Sequence, residues 1–313
     1  MSEKERIKCL IIGAGPAGYT AAIYAARANL NPVLYTGMEP GGQLMITNDV
    51  ENYPGYADGV LGPEMMEDFR KQAERFGTII RVETIVEVDL KGPVHKARSE
   101  SGLEIESDTI IIATGASAKW LGLESEKKFQ NKGVSACAVC DGFFFKGQEV
   151  AVVGGGDTAA EESTYLSKLC PKVHLLVRRD EMRASKIMQD RVFKSKNIQI
   201  HWNSEAMEIL GNEQVKGVRV FNNKTEIEKI LDVQGFFVAI GHTPNTQLFR
   251  DWLKMDDTGY IITNSDTTIT SVEGVFACGD AQDKVYRQAV TAAGTGCMAA
   301  LDAERYLTDK GII

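Results

Sequence analysis

No apolar run in the sequence approaches the roughly 20 residues needed to span a bilayer, so no transmembrane helix is expected. A basic excess is also missing. The 35 Lys and Arg stand against 43 Asp and Glu, a net charge of −8 at pH 7, whereas a nucleic-acid binder normally presents a basic face. Cysteine is sparse: six in 313 residues are too few for a disulfide scaffold. That suits a cytoplasmic setting, where a close cysteine pair serves catalysis or a metal and not a structural staple. The four histidines are scattered, without the pairing of a zinc site. The N-terminus, Met1 to Lys8, is charged and leads through a short apolar piece into a glycine turn. This is the pattern of a first strand and not of a signal peptide.

What is present is an ordinary globular composition, 43% hydrophobic and 25% charged, in a chain long enough for two domains. Cys9–Ile12 reads as a buried strand, Tyr19–Asn29 as a helix and Pro32–Tyr35 as a second strand, together one βαβ unit. A loop rich in Gly, Pro and Asn runs from Gly37 to Tyr56, long enough to suggest a functional role. A helix (62–76), short strands (78–105) and the buried strand 109–113 follow. The pattern then restarts: strand 150–153, helix 158–169, strand 173–177 and a further helix 187–196. Residues 198–238 read as a β-meander. Strand 274–278 and a final helix, 289–307, look like a missing last piece of the first unit. The expected architecture is α/β, two tandem Rossmann-like dinucleotide-binding domains with the second inserted in the first. The boundaries are 1–115, 116–244 and 245–313, joined by hinge-like stretches near Thr114–Ser117 and Gly241–Asn245.

Gly13-x-Gly15-x-x-Gly18 is a dinucleotide fingerprint in a strand–turn–helix setting. Its first glycine permits the turn, its second lets a pyrophosphate approach, and its third lets helix pack on strand. The acidic residue expected about 20 positions on is replaced by Tyr35-Thr36-Gly37, so ribose recognition would fall to hydroxyl, backbone or water. The second turn, Gly154-Gly155-Gly156-Asp157-Thr158-Ala159, has the permitted alanine in third place. Arg178, Arg179 and Arg183 follow its next strand, suiting a 2′-phosphate and favouring NADPH over NADH; the alternative is a solvated helix-start face. Cys137-Ala138-Val139-Cys140 lies about a dozen residues before this second unit. Its readings are a redox-active disulfide, half a zinc site with no second half in the sequence, or two unrelated thiols. Asp141 follows as a proton donor or as the start of an Asp-Gly turn. Asp280, after an apolar strand, is a ribityl-hydroxyl acceptor or a cap. Cys9, Cys170, Cys278 and Cys297 read as small buried hydrophobes.

Over nearly its full length the chain resembles the low-molecular-weight thioredoxin reductases. The resemblance rests on Gly13–Gly18, Gly41–Leu44, Glu51–Gly55, Ala113–Gly115, Cys137–Gly142, Gly154–Ala159, Arg178–Ala184, Gly241–Asn245, Gly279-Asp280 and Arg287–Ala289. It implies FAD in the first domain, held by Gly13, Gly15, Pro16, Ala17, Thr36, Gly42, Gln43, Leu44, Asn52, Ala113, Thr114, Gly115, Gly279, Asp280, Arg287, Gln288 and Ala289. It implies NADPH in the second, at Gly156, Asp157, Thr158, Arg178, Arg179 and Arg183, together with a homodimer and thioredoxin as protein substrate. Cys140 would be the flavin-side sulfur, Cys137 the one that attacks thioredoxin, and Asp141 the acid. The implied reaction runs from NADPH through FAD to the Cys137–Cys140 disulfide and then to thioredoxin, with a rotation of the NADPH domain. The chain departs from the family pattern at Val177, Met182 and Val139. Rival readings are a reductase or oxidase of the same fold with another disulfide partner, and a nucleotide-sensing redox switch without rapid turnover.

Overall fold

A computed structural model describes residues 4–313; Met1, Ser2 and Glu3, the start of the charged N-terminus, lie outside the described residues. Chain contacts divide the protein into two units. One runs up to Ser117 and resumes at Thr243, and the other comprises Ala118–His242.

The first unit is organised by strand Lys4–Ile12, whose Leu10 and Ile11 are fully buried. It pairs in parallel with Val33–Tyr35 on one side and with Glu104–Ile112 on the other. Burial on both faces explains why these strands read as continuous apolar runs and not as alternations. Ile79–Arg81 extends the sheet in parallel beyond Val33–Tyr35. The far side of Glu104–Ile112 is shared: its first half pairs antiparallel with His95–Ser99, and Ile110–Ile112 pairs in parallel with Val275–Ala277. The C-terminal strand is therefore part of the sheet begun by the N-terminal one. Helix Pro16–Arg27 packs on helix Ala289–Asp309 through small residues. A methyl added at Gly296 would lie 2.2 Å from the Ala17 carbonyl oxygen, so only glycine allows this approach.

The second unit repeats the plan. Its parallel sheet runs in the order Val134–Ser135, Gly235–Val238, Val150–Val153, Val173–Val177, Ile198–Trp202. The expected meander over 198–238 is corrected here. Its middle three strands, Ser204–Gly211, Val215–Asn222 and Ile227–Leu231, form a separate antiparallel sheet. Ile198–Trp202 and Gly235–Val238 instead join the parallel sheet. Turn chemistry at 211–212 and 222–223 marks the hairpins correctly but carries no information about which sheet the flanking strands enter. The connecting segments, Ala116–Ala118 and His242–Pro244, pair as a two-stranded ribbon. No helix among the described residues is long and apolar enough to cross a membrane.

Candidate active site

Three constellations carry chemistry, the first at the end of strand Lys4–Ile12. Gly13 sits at φ 107°, its N–H donating to the Tyr35 carbonyl at 2.8 Å. A methyl there would fall 2.3 Å from the Ala113 carbonyl oxygen, and one at Gly18 would fall 1.9 Å from the Gly13 carbonyl oxygen. Gly15 differs, because no protein atom lies within 4 Å of the methyl it lacks. The outer two glycines are thus demanded by the protein's own packing, while the middle one leaves an open face. Gly15 caps helix Pro16–Arg27, whose first turn has no side-chain cap and no acidic residue. Exposed amide N–H groups at such a terminus favour an anion.

Other candidates gather on this turn. Gly41 donates to the Ala14 carbonyl at 3.1 Å, bringing the 3₁₀ turn Gly42–Ile46, with Gln43 and Leu44, against Gly15. A methyl at Gly279 would meet the Ala17 methyl at 2.9 Å, placing Asp280 beside the helix start. The Asp280 carboxylate is half-buried and accepts no hydrogen bond from the described residues. Burial, reinforced by Asp283 and opposed by Arg287, pushes its pKa up to about 7. Asp280 does not cap the last helix: Gln288 is the N-cap of Ala289–Asp309, its side chain accepting from the Thr291 amide, and Asp283 accepts from the amides of Val285, Tyr286 and Arg287 in the turn before it. The buried Thr114 hydroxyl, next to Gly13, is likewise without a partner. Asn52 and Gln288 meet at 3.4 Å. Thr36 is not left open, since its hydroxyl donates to the Gly37 carbonyl at 2.6 Å; Arg287 is turned back onto the Lys284 carbonyl. An open anion-favouring turn with an unsatisfied carboxyl and hydroxyl beside it fits a ligand bearing phosphates and hydroxyls.

The second turn reproduces the first. Gly154, at φ 151°, donates to the Leu176 carbonyl at 3.1 Å, and a methyl on it would lie 2.3 Å from the Ala239 carbonyl oxygen. Gly156, capping helix Asp157–Leu166, has no protein atom within 4 Å of the corresponding point. The Asp157 carboxylate accepts from the Ser185 amide at 2.7 Å, and the Gly155 carbonyl accepts from the Arg183 and Ala184 amides. These bonds fold the 178–185 loop back over the turn. Arg178, Arg179 and Arg183 are all exposed, and none forms an ion pair or side-chain hydrogen bond among the described residues. Val177 is buried beneath Gly155, with its Cγ1 at 3.3 Å from the absent methyl.

Cys137 and Cys140 are joined in a disulfide on the turn Ala138–Asp141 that Cys137 caps. The Cys140 amide donates to Cys137 Sγ at 3.2 Å. The Asp141 side chain caps nothing, so its turn-starting role belongs to the backbone alone. Burial raises its carboxyl above the ordinary range, and the nearby Ser135 hydroxyl partly offsets this. Gly142 fixes the turn to helix Asp157–Leu166: a methyl there would meet Leu166 at 2.9 Å and Tyr165 at 3.2 Å. The disulfide and the second glycine turn therefore ride on one body. Among the described residues no group of His, Cys, Asp and Glu could hold a metal ion.

Residues 7–296 match the model of the pyridine nucleotide-disulphide oxidoreductases. The chain belongs to that family. It is 56% identical over 303 residues to a thioredoxin reductase of Rickettsia conorii, covering 96% of this chain and 98% of the relative. To that of Vibrio cholerae it is 53% identical over 319 residues, covering 99% and 100%. The solved thioredoxin reductase of Giardia duodenalis superposes with a TM-score of 0.94 at 43% identity, covering 97% and 99% of the two chains.

Within the family frame some roles had no signature in the sequence, even where the residue lay in a flagged stretch, as Asn245 does. Thr295, a helix residue sixteen positions away, accepts the Gly279 amide at 2.9 Å and holds the Asp280 turn. Asn245 braces the first connector, donating to the Thr114 carbonyl at 3.1 Å and accepting from Ser117 at 3.2 Å. Ser135 accepts the Cys137 amide at 3.0 Å and so fixes the start of the redox turn. Each is a common polar residue whose role arises from long-range packing or a two-residue offset, which no spacing rule flags.

Proposed function

We propose that the protein is an NADPH-dependent flavoprotein that reduces the disulfide of thioredoxin. The observation that carries this reading is the Cys137–Cys140 disulfide fixed by Gly142 to the helix of a glycine turn that is ringed by three unpaired guanidinium groups. In this reading residues 1–115 and 245–313 hold FAD. Gly15, Pro16 and Ala17 would hold its pyrophosphate, and Asp280 would accept from its hydroxyl groups. Residues 116–244 hold NADPH, with its pyrophosphate at Gly156 and its 2′-phosphate on Arg178, Arg179 and Arg183, which can bind it bidentately. Bound FAD would supply the two-electron relay between NADPH and the disulfide.

The chain's own groups do the rest. The Cys140 amide directed at Cys137 Sγ favours negative charge on that sulfur, which suits Cys137 as the thiolate that attacks thioredoxin. Cys140 is then the flavin-side sulfur. Asp141, whose carboxyl is raised by burial, holds a proton closer to neutrality than a solvated aspartate does and delivers it to sulfur. The reading includes a cytoplasmic homodimer.

The test is direct. The purified protein should be yellow, its visible absorbance should bleach on adding NADPH, and oxidised thioredoxin should restore the colour. Replacing Cys140 by serine should abolish thioredoxin reduction while NADPH still bleaches the flavin. Normal turnover by the Cys140→Ser variant would overturn the proposal.

A further inference from the structure

Arg183 stands apart from the other two guanidinium groups of the second turn. Arg178 and Arg179 directly follow strand Val173–Val177, whose end places them, whereas Arg183 lies six residues past it. Its neighbours Met182 and Ala184 are buried in the core of the second unit, and this alternation turns the Arg183 side chain outward. The Arg183 and Ala184 amides both donate to the Gly155 carbonyl, at 2.6 and 3.0 Å, which fixes the strip over the glycine turn. The carbonyls on either side of Arg183 have a second anchor. Gln189, on helix Lys186–Lys194, donates through Nε2 to the Met182 carbonyl at 3.3 Å and to the Ala184 carbonyl at 2.7 Å. A carbonyl only accepts, so the amide nitrogen of Gln189 and not its oxygen faces them, with both N–H groups spent. The Arg183 backbone is thus held from two sides while its side chain is left alone.

We propose that Gln189 is a positioning residue for nucleotide specificity, clamping the Arg183 backbone over the second glycine turn so that its guanidinium is preset for a 2′-phosphate. The inference rests on the reading of that turn as the NADPH site and deepens it. A charged side chain gives an anion its full attraction only where little ordering remains to be done on binding. Fixing the backbone of one residue costs entropy equivalent to about tenfold in an equilibrium constant. Gln189 and the Gly155 carbonyl meet that cost during folding, before a nucleotide arrives. Asp157 closes the far end of the same strip by accepting the Ser185 amide at 2.7 Å. The Arg183 guanidinium itself has no ion pair or side-chain hydrogen bond among the described residues, so its donors remain available. NADH carries no 2′-phosphate, gains nothing from this guanidinium, and should not sense Gln189.

Gln189→Met keeps the reach of the side chain and removes both donors. On the holoenzyme, KM and kcat are measured with NADPH and with NADH. Calorimetry then gives the Kd of adenosine 2′,5′-bisphosphate and of 5′-AMP, a pair that differs only in the 2′-phosphate and needs no turnover. The variant should raise the KM for NADPH and the Kd of the bisphosphate by about three- to tenfold, with NADH, 5′-AMP and kcat unchanged within about twofold. In an Arg183→Ala background the same substitution should add nothing, since Gln189 acts only through that residue. Gln189→Asn keeps the amide but shortens its reach, and should behave as the methionine variant does; it carries the test if the latter fails to fold. Equal weakening of both members of each pair, no weakening at all, or a loss that persists in Arg183→Ala would make Gln189 a brace of the fold alone and overturn the inference. Failure of the functional reading shows separately, as a wild-type protein that binds the bisphosphate no more tightly than 5′-AMP.

Discussion

Replacing Asp280 by asparagine should strengthen the flavin-depleted protein at alkaline pH and weaken its hold on flavin. The Asp280 carboxyl keeps its proton to about 7, against an ordinary value near 4, because it is half-buried beside Ala17 without a protein donor. Between those values the folded state binds more protons than the unfolded state, so the group's contribution to stability falls as pH rises from about 4 to about 7 and stays low above. At about 1.4 kcal/mol per pH unit the span is worth at most about 4 kcal/mol. Water reaching a half-buried carboxyl brings a realistic figure nearer 2 kcal/mol. Asparagine mimics the protonated form. Urea unfolding at pH 5 and pH 8, with hydrogen exchange read on strands 104–112 and 275–277, should show a small difference at pH 5 and a gain of about 2 kcal/mol for the variant at pH 8. With flavin in excess the order should invert, since the variant loses a charged acceptor for ligand hydroxyls. A gain of equal size at both pH values, or none at pH 8, would show that Asp280 ionises without penalty and would remove it from the proposed cofactor site.

Glycine substitutions should separate folding from binding. Gly13→Ala, with a strained φ and a carbonyl 2.3 Å from the new methyl, should cost about 3 kcal/mol or more in unfolding assays, whereas Gly15→Ala should cost under about 1 kcal/mol. Gly15→Ala should nonetheless lower flavin affinity about ten- to hundredfold in fluorescence titrations, the loss of one charge-assisted amide–phosphate contact. Arg178→Ala and Arg179→Ala should each raise the KM for NADPH by about tenfold or more and leave that for NADH nearly unchanged. Stability should not move, because neither guanidinium has a partner among the described residues. Among the remaining thiols, burial pushes Cys9 and Cys278 up to about 12 and Cys170 up to about 11. Brief iodoacetamide treatment of the reduced native protein, mapped by mass spectrometry, should therefore label Cys137 and Cys140 and spare these three.

Much of this was legible in the sequence because the informative signals are local. A strand, a glycine turn and a helix start lie within some fifteen residues, so Gly13–Gly18 and Gly154–Ala159 announce themselves, and two cysteines at a spacing of three do the same. The interrupted first unit was legible because strand 274–278 and its helix repeat a pattern that the opening βαβ unit leaves unfinished. What stayed hidden depends on contacts distant in sequence. The periodicity of 198–202 and 235–238 does not show that they leave the meander for the parallel sheet. Nor does anything near Asp280 show that Gln288 caps the last helix and Asp283 takes the amides of the turn before it, leaving the Asp280 carboxyl unsatisfied. Ser135 illustrates the limit: the residue is visible, but its bond from the Cys137 amide appears only once the turn is closed.

The two glycine turns also argue for a division of labour that neither shows alone. Their backbones are near copies, down to the amide of each first glycine bonded to the neighbouring strand and the alanine carbonyl beneath it. Geometry therefore cannot decide which turn takes which nucleotide, and the side chains at the end of the second strand must. In the first unit that end carries Thr36, its hydroxyl spent on Gly37. The nearby cation, Arg81, is bound by Glu5 and by the Tyr35 hydroxyl. A 2′-phosphate there would have to break an existing ion pair. In the second unit the corresponding end carries Arg178 and Arg179, with Arg183 drawn in by the Gly155 carbonyl, and these guanidinium groups have no ion pair or side-chain hydrogen bond among the described residues. In the proposed reading the 2′-phosphorylated nucleotide is thus favoured at the turn whose helix packs against the turn that carries the dithiol. Moving the arginines' charge to the first unit, by substituting Thr36→Arg alongside Arg178→Thr and Arg179→Thr, should abolish the NADPH preference without restoring it elsewhere, because in the proposed reading the first turn is taken by FAD. Retention of the preference by the triple variant would mean that backbone shape, and not these side chains, selects the nucleotide.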